Sequence, residues 1–241
     1  SISDIIAGGE LMSIKVMTYN ICSCHNLKYE YVPEQTIQII RAENPDIIGI
    51  NEMDYLNERN DFTDMPKIMA EKLGYNYYFG KSIDYRGGEY GNVIMSRFPI
   101  EMESVKNIPV PESNFEERDR TYENRAIIKT PINVNGRLIN VLVSHYGLSY
   151  GERIAAVNQT IELIDNDTPT IFMGDLNCQP DAIEIQPLYG KLNDTALSEG
   201  MFTIPSDKPN KKIDYIFVSN HFNIESSYVI DTQVSDHCPY V

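Results

Sequence analysis

Positive charge is scarce in this chain. Lys and Arg total 20 against 35 Asp and Glu, a formal net charge of −15. Proteins that grip nucleic acid by releasing its counterions carry a basic face, and here the basic residues are scattered. Long-range attraction to DNA, RNA or an anionic membrane is therefore disfavoured, although a local cationic pocket or a bound metal can still hold one phosphate. Most of the acid excess reads as solubility. Cysteine is scarce too. Four in 241 residues argue against a disulfide scaffold and for a reduced, cytoplasmic setting. Cys22, Cys24, Cys178 and Cys238 match no zinc spacing. They read as small residues tolerated on a crowded pocket floor rather than as a soft-metal site. No apolar run approaches the roughly 18 residues of a membrane helix, and residues 1–10 lack the basic-then-apolar order of a secretory signal.

An apolar share of 42% can fill the core of one large domain. No repeat, low-complexity tract or linker divides the chain. Residues 1–13 are expected as an N-terminal extension and 14–241 as the domain, a monomer. Short apolar, β-branched runs at 14–19, 46–50, 93–95, 125–130, 137–144, 170–173, 212–219 and 224–230 predict strands. Pro33 with Ile37, Ile40 and Ala42 predicts a helix, and 65–73 closed by Gly74 a second. The stretch 152–164, with Ile154, Val157, Ile161 and Ile164 on one face, is the clearest amphipathic helix. Asn135-Gly136 signals a hairpin. Hairpins mixed with helical crossovers fit a mixed-sheet α/β sandwich with helices outside, rather than a doubly wound parallel sheet.

The hydrophobic runs repeatedly end in acids, amides or histidine: Asn20, Asn51-Glu52, His145, Asp175-Leu176-Asn177, then Asp214 within a strand and Asp236-His237 near the end. Each has an ordinary reading as a turn, a strand end or a satisfied core histidine. Asp214 interrupts an apolar strand, and if buried it needs a partner such as His237. Together these residues bring Glu52, Asp175, Asp214 and Asp236 toward one rim. Four carboxylates in one cleft repel unless a cation compensates. Hard oxygen donors select Mg²⁺ or Mn²⁺ over zinc. Neither an HExxH zinc motif nor a GxSxG nucleophile elbow is present, so metal-aided attack of water on phosphorus fits best.

These residues carry a resemblance. Thr18-Tyr19-Asn20-Ile21, the run from Pro45 to Glu52, the run from Gly91 to Ile100, Ser144-His145, Gly174-Asp175-Leu176-Asn177, Ile213-Asp214-Tyr215-Ile216 and Ser235-Asp236-His237 follow one order. In that order the sequence strongly resembles the endonuclease/exonuclease/phosphatase superfamily, the fold of DNase I and of sphingomyelinase-type phosphodiesterases. The resemblance implies a DNase I-like four-layer sandwich, two mixed β-sheets face to face with helices outside. It implies Glu52 as the main metal ligand, with Asn20 and Asp236 in support. His237, paired with Asp214, would deprotonate the attacking water or stabilise its charge. Asp175 and Asn177 would orient that water and hold the phosphate. His145 would act across the phosphate as a hydrogen-bond donor or general acid. Arg125, in the segment Tyr122-Glu123-Asn124-Arg125, and Asn92 would contact substrate. Two features depart from the family pattern: the cysteines around Asn20, and the short stretch after His237, which leaves little for a final strand.

Superfamily membership leaves the substrate open. The acidic balance favours a small or lipid-derived phosphodiester or a phosphomonoester, with a nuclease as the alternative. Tyr75, Tyr77, Tyr78, Tyr85 and Tyr90 cluster ahead of Gly91-Asn92 and could stack on a base or line a headgroup pocket, although for Tyr75 and Tyr77 alternating strand packing is the favoured reading. A different class, a catalytically silent relative that only binds, predicts the loss of a motif residue, and none is missing.

Overall fold

The β-branched runs pair into two large sheets in a computed structural model that describes residues 1–5, 11–112 and 123–241. At the N-terminus β1 (Ile2–Ile5) and β2 (Leu11–Ile14) pair antiparallel. The first large sheet contains β3 (Val16–Asn20), β4 (Ile47–Tyr55), β5 (Asn76–Tyr85) and β6 (Gly88–Ser96), in the order β3-β4-β6-β5. Only the β3–β4 pair is parallel. The second contains β7 (Lys106–Pro109), β8 (Ala126–Val134), β9 (Arg137–Ser144), β10 (Thr170–Asp175), β11 (Asn193–Asp194) and β12 (Asp214–Val218). Its order is β11-β12-β10-β9-β8-β7, with β9 and β10 parallel. A short β13 (Asn223–Ile224) pairs with β1.

Alternation along the strands builds the layers. Val141, Val143, Ile171, Met173, Ile216 and Val218 point inward and meet Val16, Ile47 and Ile94 between the sheets. Their neighbours Leu142, Phe172, Tyr215 and Phe217 point outward, under α3 (Tyr150–Leu163) and α4 (Gln186–Tyr189). On the other side Met17, Tyr19, Ile48, Ile50, Val93 and Met95 lie beneath α1 (Pro33–Glu43) and α2 (Met65–Leu73). The result is the expected four-layer α/β sandwich, and each fully buried Ile, Val or Leu contributes about 1.5–3 kcal/mol. Among the described residues no helix is long and apolar enough to cross a membrane.

The helix ends follow local chemistry. Pro33 supplies the fixed φ of a first turn, and Asn44 closes α1 in the left-handed region. Asp64 caps α2, and Gly74 closes it at φ +75°. The helix expected at 152–164 starts two residues earlier, because Ser149 and Glu152 form a reciprocal capping box. Its buried stripe is also rotated from the one expected. Gly151, Ala156, Val157 and Thr160 face the sheet, while Ile154 is only half-buried. Small residues let the helix lie close, and Thr160 shares a 2.7 Å hydrogen bond with the buried Tyr146 hydroxyl.

Two other expectations changed, and one full strand was not among those expected. The strand foreseen at 224–230 is reduced to β13 plus a single bridge between Val229 and Tyr240. Residues 76–85 form a full strand whose partly exposed pattern hid it from hydrophobicity alone. Residues 1–13, expected ahead of the domain, include Ile2, which is buried in the inter-sheet core. Residues 6–10 of that stretch lie outside the described residues.

Gly174 makes the tightest approach among the described glycines. A Cβ there would sit 1.8 Å from the Ser144 carbonyl oxygen, on the neighbouring strand. Gly174→Ala should therefore lower the unfolding free energy by about 3 kcal/mol or more in urea titration. Gly190→Ala, whose nearest atom is 3.4 Å away, should change it by less than about 0.5 kcal/mol. Equal effects would contradict the close-packing argument.

Candidate active site

The site begins at a bulge. Ile50 pairs with Val93 and Met53 with Gly91, so Asn51 and Glu52 together face Asn92. Glu52 sits at φ +60°, a conformation that costs a non-glycine residue about 1–3 kcal/mol. The extra residue re-aims both side chains. Asn51 turns into the gap between the sheets and is fully buried. Its amide nitrogen donates to Asn92 Oδ1 at 2.8 Å and to the Ser144 carbonyl at 3.0 Å. Its oxygen accepts from the Asp175 N–H at 2.9 Å. One side chain thus fixes β4, β6, β9 and β10 to each other at the rim.

Asn20 joins the acids. Its Nδ2 donates to Glu52 Oε1 at 3.0 Å and to Asp175 Oδ2 at 3.1 Å, while its Oδ1 accepts from the Cys22 N–H. Glu52 and Asp175 therefore face each other across one amide nitrogen. Asp175 and Asp214 are paired directly across β10 and β12. Asp214 Oδ2 accepts from His237 Nδ1 at 2.8 Å and from the Thr203 hydroxyl at 2.5 Å. His237 Nε2 is left facing Asp175 Oδ2 at 3.6 Å.

His237 reaches this position although few residues follow it. Tyr240 exchanges two backbone hydrogen bonds with Thr18 of β3, and the Ser235 hydroxyl donates to the Asn20 carbonyl. The chain end is sewn to the strand that carries Asn20. Asp236, half-buried, accepts from Ser235 Oγ at 3.2 Å and lies near enough to the Cys22 thiol to raise its pKa. It lies on the Cys22 side of the cleft, outside the Asp175–Asp214–His237 group.

On the opposite flank, His145 and Asn177 stand beside Asp175. The Asn177 N–H donates to Asp175 Oδ1 at 2.8 Å, and its amide lies 3.0 Å from His145 Nε2. Arg125 Nη1 lies 3.2 Å from His145 Nδ1 and donates to Glu123 at 2.7 Å. Tyr122 of the same segment lies outside the described residues. Asn92 keeps a buried Nδ2 without a partner, as Asp214 keeps a buried Oδ1.

The electrostatics follow from this packing. Burial alone would lower the His237 pKa, but the Asp214 and Asp175 carboxylates outweigh it and hold it up at about 10. Burial would raise the pKa of Asp175. His237, His145 and the Asn177 N–H outweigh that and hold it well below the usual carboxylate range. The Cys22 thiol is pushed up to about 12 by burial, then by Asp236 and Glu52. Burial likewise pushes Cys24 and Cys178 up to about 12. All four cysteines are free, and protonated thiols make poor soft-metal ligands.

Asp175, Asp214 and His237 offer atoms within 4.8 Å of one another, close enough for a metal. Asp214 Oδ2 and His237 Nδ1, however, are committed to the hydrogen bond between them. Beside this group lie the half-buried Glu52 carboxylate and the Asn20 carboxamide, joined by a 3.0 Å hydrogen bond, with the Asp236 carboxylate on the Cys22 side. Negative charge collects there, and the cation of Arg125 is already matched by Glu123. Such a donor set fits a hard divalent ion.

The family model for the endonuclease/exonuclease/phosphatase family matches residues 17–237. The chain belongs to that family. Its members act on phosphate esters and are generally metal-dependent. An uncharacterized Escherichia coli protein, YbhP, is 24% identical over 245 residues, covering 94% of each chain. An endonuclease/exonuclease/phosphatase from Beutenbergia cavernae shares the fold at a TM-score of 0.75 and 23% identity, over 94% of this chain and 70% of that one. A mannosyl-6-phosphatase from Bacteroides thetaiotaomicron matches at 0.74 and 19% identity, over 95% and 98%.

Every site residue named from sequence lies at this rim except Asp236, which sits to one side. Two features lie beyond the sequence expectations: Thr203 as a partner of Asp214, and Asn51, there only part of a motif, as the brace of the rim. A lone Thr in a loop carries no signal for the first. An Asn beside a strand-end Glu could have raised the second. Tyr90, weighed as a stacking residue, is buried, with its phenol pKa raised by burial and then by Glu52 and Glu123.

Two outcomes are expected. Asn51→Leu leaves an acceptor and a donor of the backbone unpaired, at about 1–3 kcal/mol each, so urea midpoints should fall accordingly. An unchanged midpoint would mean the brace contributes nothing. For EDTA-treated protein, His237 is raised from 6.5 unfolded to about 10 folded. Its stabilising contribution is full below pH 6.5 and is lost as pH rises through 10. Melting temperature should drop from pH 7 to 10 more steeply in the wild type than in His237→Gln; parallel curves would reject the pairing.

Proposed function

We propose that this chain hydrolyses a phosphate ester by in-line attack of water, with Mg²⁺ or Mn²⁺ held by Glu52, Asn20 and Asp236. The observation that carries the reading is the buried Asp214–His237 hydrogen bond of 2.8 Å, which leaves Nε2 aimed at the space beside Asp175. The Asp214 carboxylate fixes the Nδ1–H tautomer, so Nε2 is the nitrogen that accepts a proton from water. Asp175 and Asn177 orient that water and the phosphate. His145, on the far side of Asp175, meets a phosphoryl oxygen, and Asn92 offers its unpartnered amide N–H. When bound, a divalent cation would offset charge gained by the phosphoryl oxygens and favour the neutral form of His237. Groups arranged before substrate arrives lower the reorganisation needed at the transition state.

A small or lipid-derived substrate is the better reading. The net charge of −15 supports it over a nucleic-acid grip. The fold neighbour that acts on a mannosyl 6-phosphate makes sugar phosphates the first compounds to assay. Purified protein with Mg²⁺ or Mn²⁺ should turn over bis-p-nitrophenyl phosphate or p-nitrophenyl phosphate, and EDTA should abolish the rate. Glu52→Ala and His237→Ala should each lower kcat/KM by about 10²–10⁴. No metal-dependent turnover of these esters, sugar phosphates or phospholipids would favour a silent binding protein. Faster nicking of plasmid DNA, lost in the same two variants, would favour the nuclease.

A further inference from the structure

The contact between Arg125 and His145 carries an inference that deepens the proposed reading and rests on it for its chemistry. Arg125 Nη1 lies 3.2 Å from His145 Nδ1. A guanidinium only donates and stays protonated. Nδ1 must therefore be the acceptor, carrying a lone pair and no proton. On a neutral ring the single proton then lies on Nε2. An acceptor waits there: Asp175 Oδ2 at 3.4 Å.

The opposite tautomer would set an Nδ1–H against a charged N–H. His145 is only 6% exposed and the Arg125 side chain 9%, so water has little access to relieve that clash. Asn177 Nδ2 also approaches Nε2, at 3.0 Å; one of its two N–H groups goes to the Tyr146 carbonyl at 2.9 Å, and the other, from a neutral amide, competes with the guanidinium for the ring. The charged donor has the stronger claim on the ring. Arg125 is itself held in place, since the same Nη1 donates to Glu123 at 2.7 Å.

We propose that Arg125 is a positioning residue that sets His145 as the Nε2–H tautomer, so that the ring presents a donor to the phosphoryl oxygen beside Asp175. This role differs from the substrate-contacting arginine that the family resemblance implies. It also makes the two histidines opposite in kind. Asp214 places the His237 proton on Nδ1, and Arg125 places the His145 proton on Nε2.

The test is a long-range ¹H–¹⁵N spectrum of the imidazoles in ¹⁵N-labelled full-length protein, with His145 assigned from the signals lost in His145→Gln. In the wild type, Nδ1 of His145 should show the unprotonated shift and Nε2 the protonated one. In Arg125→Leu this preference should weaken, and kcat on bis-p-nitrophenyl phosphate should fall about 10- to 100-fold with KM changed less than about threefold. Arg125→Lys, still a donor without an acceptor, should restore the tautomer and most of kcat. If Arg125→Leu fails to fold by circular dichroism, Arg125→Gln takes its place in the same comparison. An Nδ1–H tautomer in the wild type would overturn the proposal, as would a tautomer unchanged by losing the guanidinium. A rise in KM with kcat kept would make Arg125 a substrate ligand instead. The spectra need no turnover, so failure to hydrolyse any phosphate ester would reject the phosphoesterase reading separately.

Discussion

The Asn51 carboxamide, buried where two sheets meet, is the contact on which the rest of the rim depends. Packed sheets leave little room for a polar group between them, and one placed there must find all its partners within reach. Asn51 finds them on three other strands: the Asn92 side chain, the Ser144 carbonyl and the Asp175 N–H. The last of these fixes the backbone from which the Asp175 carboxylate projects. The bulge that frees Asn51 for this task also turns Glu52 toward Asn20. Gly174 permits the same closeness from the other side, since any Cβ would collide with the Ser144 carbonyl.

Charge balance is the second constraint. Asp175 and Asp214 are almost completely buried, and Glu52 and Asp236 are half-buried nearby. Without compensation such a group would take up protons. His237 supplies part of the compensation by bonding Asp214 and facing Asp175, and these neighbours hold its own proton more tightly. A divalent cation beside Glu52 supplies the rest in the function proposed, and its arrival would release His237 toward the neutral form. The acids and the base are therefore one electrostatic unit, which a bound ion would join in the function proposed. Changing any one of them shifts the others.

Much of the layer architecture was legible in strand patterning. Val141-Leu142-Val143 and Ile171-Phe172-Met173 are apolar on both faces, as strands covered on both sides must be, and they are buried on both sides here. The polar ends of those strands pointed to the rim. What escaped was anything set by packing rather than by period. The buried stripe of α3 shifted to Ala156, Val157 and Thr160, because small residues let the helix sit close to the sheet. The 76–85 strand is mostly half-exposed, so no continuous apolar run marks its full length. Thr203 reaches Asp214 from a loop with no pattern at all.

The apolar runs of most central strands and the identity of the acids, amides and histidines at their ends belong to the sequence alone, because local periodicity and residue chemistry do not depend on neighbours far along the chain. The family follows from those residues too. The pairing of His237 with Asp214 was expected from sequence, but only the tertiary structure decided that Tyr240 would pair with Thr18 to carry His237 there, and that Arg125 would meet Nδ1 of His145. Those contacts join residues 222, 23 and 20 positions apart. Contacts of this kind are selected by the closure of the whole sandwich, which no local pattern encodes.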